Sequence, residues 1–485
     1  MNELSQCSEH GGREIDINSI PRARSFETRC AISILGPAIL GILITCACFY
    51  PGYLNFDSQW QLAQARANSY DDFHPPLMAW VWRYLDRLIP GPGGFFLFHV
   101  SLLWLGLSLF VYYAIEKRRW GWLVCLGIGL CPPFFLRYGM VVKDTAMTSA
   151  LIFACGSLLA AEKTKRLLPL ALCLPALFYA CGVRFNAVTA VFPICIWWGA
   201  CFSQNTGIGK SSAGLKILFG ACLLLAVSSS VVLFERIVIK PKRNHQMAGI
   251  MVYDLVGISL EKGVNLLPNF LNQRQPEPLN LDDLRRNFHV ENNFWLMWGD
   301  YKNRRPGFPY TDQENSTLTH SWLSTIKQNP STYLLVRWRF FQAFLGLSQR
   351  PIELYWLANP DSPEAEAMPR WNAPFRNQVL IYRSKLQDSS VLFRAWLYIV
   401  LLGLLSIMAC FFKLKSPVGF TALIASAFLY LAPYFFVGPM VDFRYVWWVV
   451  DVVSLSICLV DFTVTTRGRP AKGLDTALCA SALPQ

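Results

Sequence analysis

Residues 31–50 read AISILGPAILGILITCACFY, and residues 51–88 continue as PGYLNFDSQWQLAQARANSYDDFHPPLMAWVWRYLDRL. The first stretch carries no charged side chain. At about 1.5 Å of rise per residue, a helix of that length crosses roughly 30 Å of hydrocarbon. Inside lipid every backbone N–H and C=O must be satisfied within the segment, so an apolar run of this length reads as a membrane helix. The change of character at Tyr50-Pro51 marks the membrane edge, and the polar stretch after it is a loop against the headgroups.

Similar apolar runs begin near residues 94, 120, 145, 167, 187, 215, 391, 417 and 444. Together with the first they predict an all-α polytopic membrane protein of about ten transmembrane helices, with a small, mostly helical extracytoplasmic domain. The third run contains Cys131-Pro132-Pro133 and is expected to kink or end there. Composition agrees: 53% of the 485 residues are hydrophobic and only 15% charged, whereas about a quarter of a soluble domain is charged. The net charge of +13 raises nucleic acid as a partner. The Lys and Arg residues, however, concentrate in short loops between apolar runs, which is the positive-inside pattern. No nucleic-acid partner is expected; membrane lipids are.

Arg13, Arg22, Arg24 and Arg29, then Lys117, Arg118 and Arg119, then Lys163, Lys165 and Arg166, then Lys210, Lys413, Lys415, Arg467, Arg469 and Lys472 all fall on one side of a ten-span count. That side is predicted to be the cytoplasm. Residues 1–30 and 466–485 are then cytoplasmic tails, and the first, lacking an early apolar core, does not read as a cleavable signal peptide. Between them lie a transmembrane region at 31–240, an extracytoplasmic domain at 241–390 and C-terminal transmembrane helices at 391–465. The opposite side receives loops 51–93, 137–144, 183–186 and 438–443 and the long stretch 235–390. Within that stretch, residues 331–347 (STYLLVRWRFFQAFLGL) mix Arg337 and Arg339 with apolar positions and read as an interfacial amphipathic helix. The 15 cysteines sit mostly in apolar runs, and none lies between Cys222 and Cys410, so the extracytoplasmic region has no disulfide framework.

The loop 51–93 carries the chemistry. Asp57 lies about one helical turn past the membrane edge and is followed by Gln59, Gln61, Gln64 and then His74-Pro75-Pro76. Leu77, Trp80, Val81, Tyr84, Leu85 and Leu88 recur at helical spacing and predict a short surface helix. Asp57 also suits a helix cap, and His74 a turn. Arg137, Lys143, Arg184 and Arg444 stand at the outer edges of apparent spans. Singly, each is a snorkelling anchor; together on one face, they suit convergence on an anionic group.

A first span followed by a loop with an acidic residue near its start and an HPP element resembles the GT-C superfamily, membrane glycosyltransferases that use polyprenyl-phosphate-linked sugars. The resemblance is closest to the bacterial branch of lipid-A- and lipopolysaccharide-modifying transferases and protein-mannosyltransferase-like proteins. Lys143-Asp144 at the opening of the fourth span and Asp442-Phe443-Arg444-Tyr445 before the last fit the same group. The chain departs from the protein mannosyltransferases in having Phe56-Asp57 where they carry a paired Asp-Glu, which argues against protein O-mannosylation.

The resemblance implies transfer of a sugar from a polyprenyl-phosphate donor to an envelope glycan, lipid or protein acceptor at the outer face of the bacterial cytoplasmic (inner) membrane. It implies Asp57 as the base of an inverting displacement, His74 as an assisting hydrogen-bond donor and Asp144 as a residue that orients the acceptor or holds a metal. Gln59, Arg137, Lys143, Arg184, Asp442, Arg444 and Tyr445 are the implied substrate-binding residues. Asp57, His74 and Asp144 together suit a divalent cation, Mg or Mn, although no ligand spacing demands one. Two alternatives stay open. An O-antigen ligase or polymerase would use a basic outer loop, here Arg285, Arg286, His289, Arg304 and Arg305. A flippase for lipid-linked saccharides would carry mid-span charges and repeat symmetry; the spans are nearly free of internal charge, and no internal repeat stands out.

Overall fold

The computed structural model of the chain describes residues 19–115, 118–207, 212–274, 277–298, 305–307, 310–347 and 373–462. Most of the two expected tails, together with Lys117, Lys210 and Arg304, lies outside the described residues. The helices run in the order α1 (Ser19–Phe49), α2 (Phe56–Ala67), α3 (Leu77–Leu88), α4 (Gly93–Ala114), α5 (Arg118–Gly129), α6 (Pro132–Phe135), α7 (Lys143–Thr164), α8 (Leu167–Val183), α9 (Ala187–Asn205) and α10 (Ala213–Phe234). A π-helical turn, Glu235–Ile239, extends α10. Then follow α11 (Ala248–Lys262), α12 (Asn269–Gln273), α13 (Leu281–Asn287), α14 (Phe294–Trp298), α15 (Asp312–Gln328), α16 (Pro330–Leu345), α17 (Ala373–Ser389), α18 (Ala395–Phe411), α19 (Pro417–Val437) and α20 (Trp447–Leu459). Among the described residues the one sheet is a two-residue antiparallel pairing of Lys413–Leu414 with Val460–Asp461.

Six helical segments are long and apolar enough to cross a membrane: Ala31–Phe49, Gly93–Ala114, Lys143–Thr164, Ala187–Asn205, Ala213–Ile239 and Pro417–Val437. Trp120–Gly129, Leu167–Val183 and Ala395–Phe411 are apolar but shorter. The chain is thus an all-α, membrane-type bundle. The break expected at Cys131-Pro132-Pro133 is present: α5 stops at Gly129, and α6 restarts with proline in its first positions, where a missing N–H costs nothing.

Helix α7 runs through the middle of the bundle and is buried along nearly its whole length. Small residues make this possible. A Cβ on Gly106 of α4 would sit 2.5 Å from the Phe153 Cα, and one on Gly156 would sit 2.4 Å from the Gly106 carbonyl oxygen. The α4 and α7 backbones therefore approach at paired glycines, the packing that lipid-embedded helices use in place of a hydrophobic drive. By contrast α1 and α10 leave Leu43, Leu225 and Leu233 exposed, as lateral helices of such a bundle do.

Helices α11 to α16 form a cap on one end of the bundle. Its centre is α11, buried from Ala248 to Ser259. The stretch expected as an amphipathic helix is α16, whose buried face is made of Tyr333, Val336, Phe340, Ala343 and Phe344 with one cation among them. Arg337 points inward, fully buried, while Leu334, Leu335 and Trp338 are exposed. Arg337 lies inside because it has a partner there, Asp254 of α11, also fully buried, with Nε 2.7 Å from Oδ1. Arg339 pairs at the surface with Glu261.

Candidate active site

The loop after α1 is fastened before it reaches Asp57. Tyr53 N–H donates to the Gly139 carbonyl (2.7 Å) and Val141 N–H to the Tyr53 carbonyl (2.9 Å), a short parallel pairing. Ser58 Oγ adds a bond to the Val141 carbonyl. Lys143 follows two residues later at the start of α7, so this pairing sets Lys143 beside α2. The cap of α2 is Asn55, whose side chain accepts from Ser58 N–H at 2.9 Å. Asn55 takes the capping role that Asp57 also suited and leaves the Asp57 carboxylate free to face the site.

His74 is placed from the other direction. Asp72 N–H donates to the Lys242 carbonyl and Lys242 N–H to the Tyr70 carbonyl, both at 2.9 Å. The Asp72 carboxylate accepts from Asn244 N–H at 2.6 Å. Pro75 and Pro76 then end this strand-like segment, and α3 starts at Leu77, as the sequence predicts.

The side chains converge on Asp57. Its Oδ1 lies 3.6 Å from His74 Nε2, and its Oδ2 lies 3.8 Å from Lys143 Nζ and 3.6 Å from Arg444 Nη1. All three contacts are longer than hydrogen bonds, and those to Lys143 and Arg444 are ion pairs. Lys143 Nζ donates to His74 Nδ1 at 2.7 Å. An ammonium has only protons to give, so Nδ1 is the acceptor and the ring proton sits on Nε2, facing Asp57. Asp57 is 30% exposed, whereas Asp144 and Asp442 are completely covered. It is the one carboxylate of the cluster that a bound molecule reaches.

Burial, then Lys143, pushes the His74 imidazole down to about 3, against the opposing pull of Asp57. Burial would raise the Asp57 carboxyl, but the His74 ring with Lys143, Arg444 and Arg184 overcomes it and holds Asp57 well below the usual carboxylate range. Near neutral pH the site therefore holds a neutral His74 and an ionised Asp57. The unfolded chain protonates this ring below about pH 6.5 and the folded chain only near 3. Stability is then lost as pH falls through that window, by about 1.4 kcal/mol per pH unit from this group. Thermal melts at pH 7 and pH 5 should show wild type losing about 2 kcal/mol more than His74→Asn; equal losses would remove His74 as the group responsible.

Behind Asp57 lies a second layer. Arg184 Nη1 is 2.5 Å from Asp144 Oδ1. The same guanidinium donates to Asn186 Oδ1 (3.0 Å) and to the Tyr434 hydroxyl (2.7 Å), and Asn186 Nδ2 also donates to that hydroxyl (2.8 Å). It lies over the Tyr445 ring at 4.8 Å, and Tyr445 stacks on Tyr434 at 5.0 Å. Arg444 is fixed by its own neighbour: Asp442 accepts from its Nε (2.6 Å) and its backbone N–H (2.8 Å). Charge-assisted contacts of this kind hold Arg444 in a set orientation beside Asp57 and Arg184 in the layer behind it. Such a face suits an anion beside a carboxylate.

Of the residues expected from sequence, Asp57, His74, Lys143, Asp144, Arg184, Asp442, Arg444 and Tyr445 meet here. Arg137 does not. It is buried elsewhere, paired with Asp451 of α20, donating to the Trp447 carbonyl at 2.7 Å and lying 4.9 Å from the Phe134 and Tyr138 ring centres. Its place as a phosphate ligand is corrected to a brace between α6 and α20. Gln59 sits two residues past Asp57 on α2, about 200° round the helix, and among the described residues no hydrogen bond joins its side chain to the cluster. Asn55, Asn186 and Tyr434 are additions. The Asn-Phe-Asp-Ser cap pattern could have revealed Asn55, and a tyrosine beside Pro433 in an apolar helix asks for a partner for its hydroxyl. Among the described residues no three His, Cys, Asp or Glu side chains gather as a metal group. Asp57 and His74 remain as neighbouring donors, and Asp144 is matched by Arg184.

Arg444 provides a direct probe. Arg444→Lys keeps the charge but cannot span Asp442 and Asp57 with one planar fork. Losing one charge-assisted bond costs about 1.5–3 kcal/mol, so the affinity for a phosphate-bearing ligand held at this site should fall on the order of ten- to a hundredfold in binding titrations. An unchanged affinity would place the anion elsewhere.

No family model matches the chain, and no curated protein matches it significantly.

Proposed function

We propose that the protein is a GT-C-type glycosyltransferase that moves a sugar from a polyprenyl-phosphate donor to an envelope acceptor. One observation carries this reading: a single half-open carboxylate, Asp57, lies against Lys143 and Arg444 at a membrane-type bundle's edge. Asp57 takes the proton of the acceptor hydroxyl as its oxygen bonds to the anomeric carbon. The bond from that carbon to the lipid phosphate breaks, and its electron pair leaves on the phosphate oxygen. Lys143 and Arg444 bind and neutralise the departing phosphate, and Arg184 adds its positive charge from the layer behind. Asp144 and Asp442 are fully buried and each faces an arginine, so neither is placed as a nucleophile. A single displacement of this kind inverts the anomeric centre. The donor's lipid tail stays in the bilayer, which is why the site belongs at a membrane edge.

On this reading ten helices span the bacterial inner membrane. The three shorter apolar helices and α20 join the six long ones, the termini are cytoplasmic and the capped end faces outward. Asp144 serves by orienting Arg184, and Tyr445 by backing it. The acceptor is a glycan, lipid or protein of the envelope. The test is donor turnover in a reconstituted membrane: radiolabelled polyprenyl-phosphate sugars supplied one at a time, with an envelope extract as acceptor. Label passing into a new product identifies a transferase and its sugar together. If no donor transfers label and the lipid instead becomes accessible on the opposite leaflet, the protein is a flippase. Transfer only from a pyrophosphate-linked oligosaccharide would identify a ligase or polymerase.

A further inference from the structure

An aromatic strip leaves the site beside the base. The Phe73 ring lies 5.0 Å from His74 and 5.4 Å from Trp298, edge to face in both cases. Phe294 lies 6.1 Å from Trp298 and 5.5 Å from Trp295, and Trp295 lies 5.9 Å from His289. Phe294, Trp295 and Trp298 are 47%, 42% and 38% exposed. Three large rings this open, touching in series and joined through Phe73 to His74, are more than scattered surface apolar residues.

The strip is built into the site at both ends. Val441 N–H donates to the Glu291 carbonyl at 2.6 Å and Asn293 N–H to the Pro439 carbonyl at 3.2 Å. Its root is thus bonded to the segment that leads into Asp442 and Arg444. At the other end it enters through His74, whose Nε2 is 3.6 Å from the Asp57 carboxylate. It approaches the base, while Arg184 and Tyr445 lie behind that carboxylate. The acceptor must present its hydroxyl to the base, so the strip leads to the acceptor's place.

We infer that Phe73, Phe294, Trp295 and Trp298 form an acceptor subsite that stacks the rings of a neutral glycan. This rests on the transferase reading above and narrows its acceptor to a carbohydrate chain. Sugar rings offer C–H faces that pack on indole and phenyl faces, with hydroxyls left for polar neighbours. The strip's own segment, residues 289–298 (HVENNFWLMW), holds no Lys or Arg and one Glu, flanked by Asn292 and Asn293. A surface made for anionic headgroups would carry cations among its aromatics. Within the strip itself no cation stands between the rings, the nearest in sequence being Arg286 before it and the arginines after Trp298, and the rings favour an uncharged polyhydroxyl ligand.

The experiment uses the full chain in nanodiscs without donor. A panel of neutral hexose tetrasaccharides is titrated while tryptophan emission is recorded. At least one member should give a saturable change in wild type and in Asp57→Asn. Its affinity should fall at least tenfold in Trp298→Ala and Trp295→Ala and be kept within a few-fold in Trp298→Phe. Nanodiscs with brominated lipid provide the second arm: removing Trp295 and Trp298 should leave the quenched fraction of emission unchanged. No binder in the panel, or binding indifferent to both rings, overturns the inference. So does loss of a lipid-quenched component with these two residues, which would make the strip a membrane-interface belt. Donor turnover separates the two readings: Asp57-dependent transfer without tetrasaccharide binding sinks the subsite alone, and binding without transfer sinks the transferase and with it the acceptor role, leaving a glycan-binding strip.

Discussion

Asp57→Asn should lower sugar transfer by roughly 10²–10⁴-fold, the range a general base contributes, while the protein still inserts and purifies as wild type. Asparagine matches the shape of aspartate but cannot take the acceptor proton. The structural cost is limited because the contacts of Asp57 are long, 3.6–3.8 Å, and Arg444 and Lys143 keep Asp442 and His74 as partners when its charge is removed. The kinetic signature is specific. Removing a negative charge from beside Lys143 and Arg444 leaves those cations freer for a phosphate, so the donor KM should stay level or fall while kcat collapses. Near-normal turnover would take Asp57 out of the base role. A rise in donor KM with kcat preserved would recast it as a binding residue.

The same geometry explains which parts of the site were legible in the sequence. Asp57, Lys143, Arg184 and Arg444 stand out because each is a charge at the end of an apolar run, where lipid makes charge costly and therefore informative. Arg137 has the same signature and a different fate. Its partner Asp451 lies in another apolar run more than 300 residues away, and no local pattern distinguishes a charge matched across the bundle from one aimed at a ligand. The burial of Arg337 was hidden for a related reason. Helical periodicity reports that a residue shares a face with its neighbours, but a cation on an apolar face reads as water-facing unless the buried carboxylate opposite is known. The strip from Phe73 to Trp295 was equally hidden, since it joins two segments more than 200 residues apart. Helix ends were easier: the break at Pro132-Pro133 and the start of α3 after Pro76 follow from backbone chemistry alone.

Arg337→Met should be the most destabilising of the cap substitutions, by about 3–5 kcal/mol, because it strands a buried carboxylate. Arg337 and Asp254 are both fully buried. Arg337 gives Asp254 two contacts, at 2.7 and 2.8 Å, and Trp322 Nε1 gives a third at 2.9 Å. With Arg337 gone, Trp322 alone faces the charge. The double variant Asp254→Leu with Arg337→Met should regain most of the lost stability, since apolar replacement of a whole buried pair is often neutral or better. Activity should not recover with it. The remaining Arg337 nitrogen, Nη1, donates to the Gly438 carbonyl at 3.0 Å, at the start of the segment that runs through Pro439 and Val441 to Asp442 and Arg444. Methionine cannot hold that carbonyl, so the double variant should melt near wild type yet bind the donor more weakly through a loosened Arg444. Thermal unfolding and donor KM measured on the same preparations decide the matter. Recovery of both together would confine the pair to folding, and recovery of stability alone would make Arg337 a positioning residue that reaches the site from the cap.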